Sequence, residues 1–193
     1  MMKKNFLANI SKDLRAYQKE RNAIFGKSRQ ILQAAKESIF ATHRQDYKKA
    51  ADFLKKAEII LKELSKNYDK ANRLRFEGSY KAALEEYVEA KFFYMVMTGK
   101  QLGPIAIGSI GPEEYIGGLA DLTGELVRQA VLQTIAENYD RIQPWRDLAE
   151  EIVGFMTKLY LTGSSRQKFD ESKRNLKRLE KILYDIKLRP SDD

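Results

Sequence analysis

The sequence predicts an all-α protein, a single domain built as a bundle of about six to seven antiparallel helices. Three observations carry that reading. Apolar residues recur at three- and four-residue intervals through every long segment, and no stretch alternates apolar with polar residues as a half-buried strand would. Glycine and proline, which interrupt regular structure, gather between Thr98 and Pro112 and otherwise fall at isolated breaks. No internal repeat and no Ser/Gly/Pro-rich linker divides the 193 residues, so residues 1–193 are read as one domain.

The first helix is expected over residues 5–42, where Phe6, Ile10, Leu14, Tyr17, Ile24, Ile31, Leu32, Ala35 and Ile39 keep helical spacing around a central Gly26. Asp46 suits the N-cap of a second helix, which runs through Leu54, Ala57, Leu61 and Leu64, past Tyr68 to Phe76, and ends at Gly78. Ser79 is then expected to cap a third helix, about 80–98. Apolar nearly all round from Tyr87 to Met97, it belongs at the centre of the bundle or in an interface. Residues 98–111 form the one substantial loop. Pro112-Glu113-Glu114 opens a fourth helix reaching about Tyr139: proline at the first position has no N–H to leave unsatisfied, and acids suit the positive end of the helix dipole. Pro144 starts a fifth helix to Leu161, residues 162–165 turn, and a basic amphipathic helix runs from about Gln167 to Leu188. Its Phe169, Leu176, Leu179 and Leu183 face inward, with Lys173, Arg174, Lys177, Arg178 and Lys181 outward.

Composition narrows the chemistry. Without cysteine there are no disulfides, thiolate metal sites or cysteine nucleophiles, and one histidine rules out a His-rich zinc site. No run approaches the roughly 18 apolar residues of a membrane span, and the start of the chain lacks a signal-peptide core, so a soluble, cytoplasmic protein with no membrane partner is expected. The formal charge of +8 suits a polyanionic partner.

Against that basic background, two pairs of acids stand out. Surface acids on helices usually have a Lys or Arg three or four residues away; Glu86 and Glu89 have none. Their helical sector is shared with Ala82, Phe93, Val96 and Met97 and should face protein, where a like-charged pair takes up protons or needs a cation. Asp121 and Glu125 lie one turn apart beside Gly117, Gly118 and Gly124, whose lack of side chains permits close approach; Arg128 alone is placed to pair locally with Glu125. The four carboxylates can converge, either as interhelical ion pairs or as a metal or acid/base site. As a metal site, an all-oxygen set favours Mg²⁺ or Mn²⁺ over zinc, and the absence of Glu-x-x-His pairs disfavours a redox di-iron bundle. Lys66, Lys70, Arg73 and Arg75 crowd the end of the second helix, where they suit phosphate contacts or a solvated face. His43 has no partner in sequence and reads as structural, as does Trp145 at a helix start.

The stretch Tyr115-Ile116-Gly117-Gly118 followed by Asp-Leu-Thr-Gly-Glu-Leu-Val-Arg at 121–128 resembles the translin family signature, specifically its TRAX (translin-associated factor X) branch. Glu86-Tyr87-Val88-Glu89-Ala90 resembles the TRAX catalytic segment, Phe40–Arg44 the close of the family's first helix, and Ser172–Lys187 its last. The resemblance implies a translin-like bundle assembling into a hollow homo-octamer, or into one completed by a translin-like partner subunit. It also implies Mg²⁺-dependent endoribonuclease action on single-stranded RNA, with single-stranded DNA a related ligand, or else a non-catalytic scaffold of the translin type. Carried over by motif, Glu86, Glu89 and Asp121 are the catalytic metal-binding acids, with Glu125 the fourth member; Lys66, Lys70, Arg73 and Arg75 occupy the region of translin's basic patch and, with Arg128, are the candidate RNA contacts. The compact, Lys/Glu-rich, cysteine-free version suggests an archaeal thermophile.

Overall fold

The computed structural model describes residues 5–107 and 110–188, with the side chains of 70–72 left aside. It is all-α. Helices α1 (Phe6–His43), α2 (Tyr47–Tyr68), α3 (Gly78–Met97), α4 (Pro112–Ile135), α5 (Ile142–Thr157) and α6 (Gly163–Lys187) are joined by short turns, one 3-10 helix (Lys70–Phe76) and the loop after α3. Among the described residues there is no strand, and no helix is long and apolar enough to cross a membrane.

Packing follows the apolar stripes. Helix α1 lies against α2 and α3, α3 against α4, and α4 against both α5 and α6, so α3 and α4 form the seam between an N-terminal and a C-terminal group of helices. Tyr87 and Phe93 of α3, Leu122 and Leu126 of α4, and Ile31, Leu61, Met156 and Leu179 around them are fully buried. Each contributes about 1.5–3 kcal/mol of hydrophobic stabilisation. Trp145 is buried in the same core, as the sequence reading expected.

Several boundaries differ from expectation for local reasons. The Asp46 cap is present, its Oδ1 accepting from the Lys49 N–H at 3.1 Å. Helix α2, however, stops at Tyr68, and the tighter 3-10 winding that follows turns Leu74 into the core. Helix α3 starts at Gly78 with Glu77, rather than Ser79, at its cap position; the Glu77 carbonyl accepts from the Tyr80 and Lys81 N–H groups. Helix α4 ends at Ile135, four residues early, because Glu137 adopts φ 57° and closes a left-handed turn in which the Asn138 N–H donates to the Gln133 carbonyl. Helix α5 takes in two residues before Pro144, which its first turn tolerates, and stops at Thr157. Of residues 162–165, expected as a turn, only Thr162 stays outside the helix, at its cap position, and 163–165 begin the first turn of α6.

The larger difference is in α1. Burial begins only at Ile24, and Phe6, Ile10, Leu14 and Tyr17 of the expected apolar stripe stand about half exposed, as does Leu7, along a helix that projects beyond its neighbours. Arg73 ties this projection down. Its guanidinium lies 4.1 Å over the Tyr17 ring, donates to the Tyr17 carbonyl at 2.9 Å and pairs with Glu20. Arg73, one of the candidate phosphate contacts, is therefore engaged within the chain.

Candidate functional site

The α3–α4 seam is close because α4 carries no side chain where α3 crosses it. A Cβ on Gly118 would stand 2.8 Å from the Val88 Cβ and 2.9 Å from the Glu89 backbone nitrogen, and one on Gly117 would strike the Glu85 carboxylate. The pair of glycines therefore sets the distance between the acids of α3 and those of α4.

Glu86 and Glu89 of α3 and Asp121 and Glu125 of α4 act on one another across this seam. Burial pushes the Glu89 carboxyl up to about 9, and Asp121, Glu86 and Glu125 add to the effect while Lys168 opposes it. Burial also raises Glu86; Lys36 and Lys168 work against that rise, and Asp121 and Glu125 with it. Glu89 is buried and the other three are half-buried. Among the described residues, no three acidic or histidine side chains point at one common centre. The reason is visible in the outer members: each has turned to a cation or donor of its own. Asp121 pairs with Lys168, and Glu125 meets the His43 Nε2 and lies 3.8 Å from the Arg128 guanidinium. Four acids that repel offer only oxygen donors, the chemistry a hard divalent cation uses, but with two of them drawn aside by neighbours they do not, as placed, form a group that could hold one.

Helix α1 and helix α6 supply residues that the sequence reading did not place here. His43, expected to be structural, enters the cluster from the end of α1 and packs on Phe93 with ring centres 4.6 Å apart. The Gln129 amide donates to its Nδ1 at 3.0 Å, so Nε2 carries the hydrogen facing Glu125. Lys168 comes from α6, its ammonium 3.0 Å from Glu85 and paired with Asp121. A signal for it existed: Lys168, Ser172, Asn175 and Leu179 share the face of α6 that packs on α4, where Asn175 donates to the Thr123 hydroxyl at 3.0 Å.

The expected basic residues scatter. Lys66 and Arg75 are exposed on α2 and the 3-10 helix, Arg73 is engaged with Tyr17 and Glu20, and the Lys70 side chain lies outside the described residues. Arg128 is exposed beside Glu125, at the mouth of the cluster. A groove of mixed charge adjoins the site. About 670 Å³ in volume, it lies between α1 and α2 and is lined by Lys36, Arg44 and Lys49, by Glu37 and Asp46, and by Phe40 and Phe53, with Arg44 5.6 Å over the Phe40 ring and Lys49 5.9 Å over Phe53. Lys36, which acts on Glu86, joins groove to cluster. It escaped the sequence reading because its residues are shared between two helices.

The buried acid has a consequence for stability. Unfolded, Glu89 titrates near 4.5; folded, near 9. Between those values the folded state alone holds the proton, so the stability of the metal-free protein is fully present below about pH 4.5 and falls as pH rises toward 9, as far as this residue governs it. Thermal melts in chelator are expected to show a declining midpoint from pH 6 to 9, and a Glu89→Gln protein a flatter profile.

Comparison with known proteins places the chain. The Translin family model matches residues 7–190. A translin-associated protein X homolog of Schizosaccharomyces pombe is 26% identical over 215 residues, 99% of this chain and 90% of the relative. An uncharacterized protein of Methanocaldococcus jannaschii is 26% identical over 193 residues, 96% of this chain and 83% of that one. Among solved structures, the AfC3PO–duplex RNA complex superposes with a TM-score of 0.86 at 23% identity, over 97% of this chain and 99% of that chain. The AfC3PO crystal structure superposes at 0.84 and 24% identity, over 94% and 97%.

Proposed function

This chain belongs to the Translin family, and on that premise we propose that it is a metal-dependent endoribonuclease that cuts single-stranded RNA inside an oligomeric cage. The observation that supports it best is Glu89: a carboxyl buried beside three half-buried carboxylates, with no Lys or Arg three or four residues away on its own helix. The similarity to the S. pombe X homolog agrees with the branch that the two acidic motifs resemble.

Glu86, Glu89, Asp121 and Glu125 would hold Mg²⁺ or Mn²⁺, which when bound supplies an activated water and neutralises charge developing on the phosphate. The chain's own groups do the rest. Lys36, Arg44 and Lys49 line the groove that leads to the acids and suit successive phosphates, while Phe40 and Phe53 offer faces to bases. Arg128 stands where it can take a phosphate oxygen at the mouth. Gln129 fixes the His43 ring, and His43 in turn fixes one oxygen of Glu125. RNA as the ligand agrees with the AfC3PO complex, a like fold holding duplex RNA. The cage would be a homo-octamer, or would be completed by a translin-like subunit.

The test is incubation of the purified chain with end-labelled single-stranded RNA in Mg²⁺ and in EDTA, with light scattering for the assembled mass. Fragments in Mg²⁺ alone, from a particle of eight copies, are the expected result. Salt-dependent binding without fragments would instead establish the scaffold reading, which the pairing of Asp121 with Lys168 and Glu125 with His43 favours.

A further inference from the structure

Lys168 is placed as part of the acid cluster rather than as a surface lysine. It rises from the second turn of α6, half-buried, and its ammonium bridges Asp121 of α4 and Glu85 of α3. The bridge is built, because the Glu85 carboxylate lies over Gly117, where any side chain would displace it. It is held from behind as well: Ser172 and Asn175, one and two turns along the same face, bond to α4 at the Ala120 carbonyl and the Thr123 hydroxyl. Among the described residues, no other lysine makes a hydrogen bond to any of the four candidate acids.

We propose that Lys168 is a resident cation of this site: it neutralises Asp121 in the metal-free protein and competes with the divalent cation for that carboxylate, so that it sets the affinity for metal. The inference rests on the metal-site reading given above. A fixed ammonium next to a divalent ion repels it, and Lys168 offers the metal no donor atom while it is charged, so its removal has no offsetting loss. The α6 position also makes metal binding responsive to how α6 seats on α4, since the same helix carries the competitor and its anchors.

The experiment is Mn²⁺ titration by calorimetry, with paired thermal melts in chelator and in Mn²⁺, on the full chain and on Lys168→Met, Lys168→Gln, Lys168→Arg and Glu89→Gln. Lys168→Met is expected to bind Mn²⁺ about tenfold more tightly or better, to melt lower than the parent in chelator, and to gain more from Mn²⁺. Lys168→Arg, which keeps the charge, should resemble the parent. Lys168→Gln keeps a donor to Asp121 without the charge, and carries the same expectation if the methionine variant does not fold. Parent-like or weaker Mn²⁺ binding by the folded Met or Gln protein would overturn the role of Lys168 alone. Absence of Mn²⁺ binding from the parent and every variant would overturn the metal-site reading, and this one with it.

Discussion

Glu89→Gln is expected to abolish RNA cleavage, lowering the rate by about a thousandfold or more, the size of losing some 4 kcal/mol of transition-state stabilisation. Glutamine keeps the shape of the side chain and one carbonyl oxygen but not the charge on which a hard cation depends. The fold should not suffer, and the same change is expected to raise the thermal midpoint in chelator at pH 8–9. There the parent either keeps a proton on Glu89 or buries a charge beside Glu86, Asp121 and Glu125, and the amide does neither. Loss of cleavage with a gain in stability separates a functional acid from a structural one: an acid retained for an interface ion pair would lose stability when neutralised. Cleavage at the parent rate by the Glu89→Gln protein would remove the catalytic assignment.

Gly118→Ala is expected to cost more stability than any other single methyl added to a glycine of this chain's helices. The new carbon would stand 2.9 Å from the Glu89 backbone nitrogen, so no side-chain rotation relieves the contact and the two helices must part. Overpacking of this kind costs about 1–3 kcal/mol when side chains can yield and more when backbone must, a fall in midpoint of roughly 4–12 °C for a domain of this size. Because the displaced backbone carries Glu89, RNA cleavage should fall in the same variant. Gly154→Ala is the control: nothing lies within 4 Å of its added carbon, and the better helix propensity of alanine should stabilise α5 by up to about 1 kcal/mol. Equal melting behaviour of the two variants would show that the seam is looser than its geometry implies.

What the sequence conveyed, it conveyed through periodicity and local chemistry. The helices from Phe6, Tyr47, Gly78 and Pro112 begin within two residues of their expected starts, since spacing, the Asp46 cap and Pro112 are all local signals. The pairing of α3 acids with α4 acids was legible because each pair is one helical turn apart and the glycines of α4 invite approach. The partners of those acids were not. His43 is 82 residues from Glu125 and Lys168 is 47 from Asp121, separations at which only tertiary packing brings side chains together. The exposed first half of α1 escaped for the opposite reason: its apolar spacing is that of a buried helix, and nothing in the sequence tells which neighbour, if any, covers it. The engagement of Arg73 escaped on the same account, since its partners Tyr17 and Glu20 lie on another helix.

The dependence of Asp121 on α6 also orders events in time. As the chain is synthesised, Glu86, Glu89, Asp121 and Glu125 exist for dozens of residues before Lys168 does, so at the acid cluster α3 and α4 first meet as like charges, although Lys81 and Glu113 pair across the same two helices. The apolar core of α1 to α3, rich in contacts between sequence neighbours, has no such impediment and can form first, whereas closure of the α4–α6 group waits on a long loop search and on the arrival of its ammonium. The acid cluster is thus expected to settle late, and refolding of the chain in Mn²⁺ and in chelator is expected to differ in rate as well as in end point.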